Sequence, residues 1–125
     1  MDAFKKEITF LSKTLSGEGV WIDEEITKTA TFKELNRVDR SQHKLHFKMM
    51  TVFEGFGVDE EGRFKLDSDA LYDLTVKAIK LLITIDAEFT ETDKTEFLND
   101  SGAILSFGTW VFKEKFTPFF LKFKM

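Results

Sequence analysis

Residues 7–32, "EITFLSKTLSGEGVWIDEEITKTATF", decide the fold. Two readings compete for the N-terminal part. Phe4, Ile8, Leu11 and Leu15 fit one helical stripe that stops at Gly17. Against this, the stretch reads as two runs rich in Thr, Ile, Val and Trp around the glycine-rich "SGEG". Such residues suit strands, and glycine supplies the dihedral angles of a tight turn. The β-hairpin is the reading we favour, with a helix over residues 2–15 as the alternative.

Beyond the hairpin the pattern turns helical. Thr31 followed by Glu34 in "TFKE" has the form of a capping box, so a first helix is expected from Thr31. At about 100° per residue, Leu35, Val38, Leu45, Met49 and Phe53 share one face. Lys33, Arg37, Arg40, Lys44 and Lys48 form a basic stripe opposite, and "EGFG" ends the helix. A loop, "GVDEEGRFKLDSD", leads to a second helix capped by Asp67 or Ser68 and running to about Ile85. That helix has two apolar faces, Leu71, Leu74, Ala78, Leu82 and Ile85 on one, Tyr72, Val76, Ile79 and Ile83 on the other. Apolar over most of its circumference, it belongs in the centre of the fold or in an interface.

The acidic segment "FTETDKTEFLND" predicts a short helix capped by Thr92 or Asp93. Asp100 or Ser101 then caps a last helix reaching about Phe116. Ala103, Ile104, Phe107, Trp110 and Val111 lie on one of its sides, and Leu105, Phe112 and Phe116 on the other. Pro118 is expected to stop it. The whole is an α+β, mainly α domain: a hairpin region (1–30) packed on three to four helices (31–117), with an apolar tail (118–125).

With 125 residues the chain has room for one domain. The 42% hydrophobic and 32% charged residues place it with globular rather than disordered chains. A net charge of −4 is too small to imply a polyanion partner from composition alone. Fifteen phenylalanines against one tyrosine mean that much apolar area must be buried, at roughly 25 cal/mol per Å². The absence of cysteine removes thiol nucleophiles and thiolate metal sites. No apolar run nears the ~18 residues of a membrane span, and "MDAFKKEITF" lacks a signal-peptide core. The expectation is a cytoplasmic protein with no membrane association.

Candidate chemistry is sparse. His43 and His46 stand three apart on the first helix, a spacing that shares metals in helical sites. Without further ligands on that face, a surface or boundary role is the simpler reading. Asp23-Glu24-Glu25 and Asp59-Glu60-Glu61 lack the alternation and central glycine of a calcium loop. No phosphate-binding loop, nucleophile elbow or zinc-helix motif occurs. Asp69 and Asp73 sit beside Lys77, an ordinary helix-surface pairing. We therefore expect no enzyme, no metal and no cofactor, but a protein that works by contact. The basic stripe would be a solvated face, a contact for an acidic protein such as residues 86–100 of another subunit, or a nucleic-acid surface, the last being least expected.

"TFKEL", "DALYDLTVKAIKLLI" and "EFLNDSGAILSFGTWVFKEKFTPFF", in that order after a hairpin, resemble the tail assembly chaperones of long-tailed bacteriophages over about residues 30–120. The resemblance implies a mainly helical protein of the bacterial host cytoplasm that self-associates and coats the apolar tape measure protein before the tail tube polymerises. It also implies a longer form, made by ribosomal frameshifting, that recruits the tail tube protein. Phe120-Leu121-Lys122 can be encoded by the slippery TTT TTA AAA. On this reading a helix-in-groove site is expected from Tyr72, Val76, Ile79, Ile83, Leu105, Phe112 and Phe116, extended by Phe119 and Phe120. Lys33, Arg37, Arg40, Lys44 and Lys48 would add electrostatic contacts. The competing expectations are a tail or neck protein of the virion that forms homo-oligomers, and a small nucleic-acid-binding protein.

Overall fold

The computed structural model describes residues 4–55 and 68–121, with the side chains of 53–55, 120 and 121 left aside. The hairpin is formed by β1 (Phe4–Leu15) and β2 (Trp21–Phe32), twelve residues each, in a register running from Phe4 opposite Phe32 to Leu15 opposite Trp21. Strict alternation explains the pairing: Ile8, Phe10 and Ser12 turn inward and are buried, while Thr9, Leu11 and Lys13 turn outward. Thr9 and Thr27 join their hydroxyls across the outer face at 2.8 Å. The turn closes through Ser16 N–H to Val20 O at 2.8 Å, with Gly19 at φ 79° where a Cβ would be strained.

β2 extends further than the capping-box signature allows. Thr31 and Phe32 pair with Thr84 and Ile83 of a two-residue strand, β3 (Ile83–Thr84), giving the sheet order β1-β2-β3. Lys33 N–H continues this edge by donating to Leu82 O at 2.7 Å. The first helix therefore does not begin at Thr31. Phe32, fully buried between Phe4 and Phe107, is worth more in the sheet than at a helix start.

Residues 34–36 are instead held by a buried side chain. Gln42 accepts from Asn36 N–H at 3.0 Å and donates to Glu34 O at 2.9 Å. A 3-10 turn (Arg40–Gln42), capped by Asp39, then leads into α1 (His43–Gly55). The basic stripe is thereby divided. Lys33 lies in the loop, Arg37 in a turn and Arg40 in the 3-10 turn, and only Lys44 and Lys48 share α1. Val38, expected on an apolar helix face, is exposed.

α2 (Ser68–Leu82) stops short of Ile85, which is exposed. Its buried residues, Leu71, Leu74, Thr75, Ala78, Ile79 and Leu82, fill one arc of about 140°. α3 (Glu91–Leu98) is capped by Thr90, not by Thr92 or Asp93. Thr90 Oγ1 accepts from Asp93 N–H at 3.2 Å while Asp93 Oδ2 accepts from Thr90 N–H at 2.9 Å, a reciprocal capping box. Asp100 caps α4 (Ser101–Val111) through Ala103 N–H at 3.2 Å.

The chain then passes through a π-helical turn (Phe112–Phe116) into α5 (Thr117–Leu121), so the helix is not stopped at Pro118. In a new first turn the missing proline N–H costs nothing. Phe112 O is satisfied by both the N–H and, at 3.0 Å, the hydroxyl of Thr117. Phe112 and Phe116, at the two ends of this turn, both reach the core.

The phenylalanine excess is a continuous aromatic spine. Phe4, Phe32, Phe107, Phe97, Phe10 and Phe89 follow one another with ring centroids 4.8–6.1 Å apart. Such contacts add to area burial. Sheet, α2, α4 and the π turn all contribute to this single core. α2 and α4 cross so closely at Thr75 and Gly108 that a Cβ on Gly108 would collide with the Thr75 hydroxyl.

Candidate functional site

The expected groove residues do not come together on the surface. Ile79, Ile83, Phe112 and Phe116 are buried in the core, Tyr72 and Val76 are half-buried, and Leu105 is exposed. Phe119, also half-buried, packs its ring 5.0 Å from His46 of α1. The Phe120 side chain, residues 56–67 with the Asp59-Glu60-Glu61 cluster and the expected loop, and the expected cap Asp67 lie outside the described residues.

The acidic segment serves the inside of the chain. Asp93 Oδ2 accepts from Lys28 Nζ of β2 at 2.7 Å. Glu96 accepts from Ser12 Oγ at 2.9 Å and from Lys13 N–H at 2.6 Å. Asp100 Oδ2 accepts from Leu11 N–H at 2.9 Å. Three acids thus fasten both strands of the hairpin to α3 and the start of α4. Burial pushes the Asp93 carboxyl up, but the hydrogen bonds from Lys28 and Thr90 outweigh it and hold the group below its ordinary range. The last two acids also cover backbone donors on an edge strand, where open N–H groups invite foreign strands.

Past this fastening the hairpin is an arm. Ser12 is the last buried side chain of β1, and residues 21–25 of β2 are all exposed. At about 3.3 Å per residue, the strands run on for roughly 10 Å. Leu15 and Trp21 stand opposite one another at its end, with Val20 and Ile22 beside them, and Trp21 is 66% exposed. Glu18, Glu24 and Glu25 add charge, while Asp23 pairs with Lys13 at 2.8 Å.

The second surface lies along α1 and α2. One shallow depression is lined by Ser41, Lys44, Leu45, Lys77, Lys80 and Leu81; the next by Lys48, Tyr72, Asp73, Val76, Lys77 and Lys80. Shared Lys77 and Lys80 make them one furrow with an apolar floor and basic rims. Among the described residues, none of its four lysines makes an ion pair. Two of the five stripe residues, Lys44 and Lys48, therefore acquire basic neighbours from α2, which sequence spacing within one helix cannot reveal.

A third surface is the outer side of α1. Phe47 is 72% exposed, and Met50, three residues on, is exposed too. Their position opposite the buried Leu45 and Met49 follows from the 3.6-residue period.

The histidines take separate partners. His43 Nε2 lies 3.1 Å from Arg37 O, and buried His46 Nε2 lies 3.1 Å from Gln42 Oε1. Because Gln42 Oε1 already accepts from Asn36, His46 donates through Nε2. Burial first, and the nearby His43 second, lower its pKa below the usual 6.5. Among the described residues no three His, Asp or Glu side chains are grouped to hold a metal ion. None of the described helices is long and apolar enough to cross a membrane.

Compared with known proteins, the chain matches no family model, no curated protein and no solved structure.

Proposed function

We propose that this protein is a tail assembly chaperone of the long-tailed-phage kind, which binds the tape measure protein and keeps it soluble in the host cytoplasm. The observation that carries the reading is the outer face of α1. Phe47 and Met50 are exposed side by side, outside the core that the aromatic spine runs through. Neighbouring apolar side chains left in water mark a contact surface, and a helical client meets a helix ridge through residues spaced by three or four. The resemblance itself rests on the order of hairpin, charged helix, apolar helix and a last helix carrying Pro-Phe-Phe.

The test is co-expression with a tape measure protein, sought as a long helical frame downstream of this gene. The client should co-purify with the wild-type chain and be lost with Phe47→Asp/Met50→Asp, while circular dichroism stays unchanged. Co-purification that survives this pair of changes would overturn the assignment of the surface. Absence of a tape-measure-like frame after this gene would overturn the chaperone reading itself.

A structural virion protein is the second reading, favoured by the apolar arm, which suits permanent assembly. Mass spectrometry of purified particles separates the two, because a chaperone is absent from them and a tail component is present in many copies.

A further inference from the structure

We propose that the arm of one copy, residues 13–25, seats in the α1–α2 furrow of a second copy, so that the chain assembles through two unlike surfaces. Self-association accompanies the chaperone reading; the pairing of arm with furrow goes beyond it and holds whichever client is bound.

The two surfaces are complementary in charge. The arm carries Glu18, Asp23, Glu24 and Glu25 against Lys13, and the furrow carries Lys44, Lys48, Lys77 and Lys80 against Asp73. Each leaves three unbalanced charges, of opposite sign. Glu18, Glu24, Glu25 and the four lysines make no ion pair among the described residues. On a chain of net charge −4, a concentrated positive furrow is the exception. Opposite potentials on two patches steer encounter and fix register.

They are also complementary in polarity and shape. The arm ends in Leu15, Val20, Trp21 and Ile22, all exposed, and a two-stranded ribbon without a covering layer is marginal in water. The furrow offers Tyr72, Val76 and Leu81, each half-buried, as an apolar floor between its lysines. Trp and Tyr in a partly dry contact are the residue types that dominate interface energetics. A nucleic acid would use the lysines but leave the arm unexplained.

Because arm and furrow differ, the contact is heterologous. It closes into a dimer if two copies exchange arms, and otherwise propagates into a ring or a filament.

Charge reversal tests this on the full chain by light scattering and native mass spectrometry. The wild type should be oligomeric at about 100 μM and low salt, and dissociate as salt rises and screens the contact. Glu24→Lys/Glu25→Lys and Lys77→Glu/Lys80→Glu should each weaken self-association at least about tenfold. All four positions are exposed, so at high salt, where the wild type is dissociated as well, both variants should keep the wild-type thermal transition. Mixing the two variants should restore assembly, since the reversed arm then meets the reversed furrow. A monomeric wild type, or reversals without effect, would overturn the proposal. So would salt-dependent capture of a short DNA duplex by a monomer, lost in Lys77→Glu/Lys80→Glu.

Discussion

The carboxylate of Asp100 reaches back 89 positions to the backbone N–H of Leu11, at 2.9 Å, while its other oxygen caps α4 at Ala103. One side chain thus fixes the start of a helix and the outer edge of the hairpin. With Glu96 and Asp93 it ties the hairpin to the body at the base of the arm.

Asp100→Ala should remove both bonds. An N-cap alone is worth about 1 kcal/mol, and the edge N–H of Leu11 loses a charged acceptor worth about 1.5–3 kcal/mol. A total loss of about 2–4 kcal/mol is expected in urea unfolding. Hydrogen exchange should quicken at Leu11 and Ala103 together. Quickening at Ala103 alone would show that the cap matters and the strap does not.

Gly108→Ala should destabilise the fold even though alanine favours helix by about 1 kcal/mol. Its Cβ would strike the Thr75 side chain, whose hydroxyl is committed to Leu71 O at 2.7 Å. Overpacking of this kind costs about 1–3 kcal/mol. Gly102→Ala is the control, because its Cβ would meet Asp100 Oδ1 at an ordinary 3.4 Å. That variant should be neutral or slightly more stable.

Acidification should weaken the protein through His46. Its folded pKa is depressed below the unfolded 6.5, so between the two values the unfolded chain binds more protons. Stability contributed by the neutral ring is present above 6.5 and is lost as pH falls through the folded value. His43 deepens the effect and Asp39 opposes it. The melting temperature of the wild type should fall from pH 7 toward pH 5 more than that of His46→Gln. Equal falls would remove His46 as the cause.

Lys28→Met should expose the Asp93 contribution to acid stability. The Lys28 and Thr90 bonds overcome burial to hold the Asp93 carboxyl below 3.8, so its contribution is present above 3.8 and vanishes as pH falls through the folded value. Without Lys28, burial faces less opposition. The variant should begin to lose stability at higher pH than the wild type, by urea titration across pH 6 to 3.

The hairpin was legible because its signals are local: alternation from Ile8 to Ser12 and a glycine where φ must be positive. The α4 cap, read as Asp100 or Ser101 and found at Asp100, was legible for the same reason. β3 was not, since Ile83 and Thr84 continue the apolar run of α2 and only their pairing with Phe32 and Thr31 makes them a strand. The same long-range pairing defeated the capping signature at Thr31. The expected groove failed differently. Periodicity shows two apolar faces on α2 and the last helix, but not that one wide arc and a π turn bury Ile79, Phe112 and Phe116 together. Composition shows acids in 86–100, but not that Asp93, Glu96 and Asp100 face the chain's own hairpin. The furrow needed two helices side by side before its lysines became a surface.

The central proposal is that this protein acts by holding an apolar client through the exposed ridge of α1. Its most direct measurement is light scattering as a tape measure protein, the proposed client, is diluted from denaturant with an equivalent of this chain. Scattering should be suppressed by the wild type and return with Phe47→Asp/Met50→Asp. Undiminished scattering with the folded wild-type chain would contradict the account.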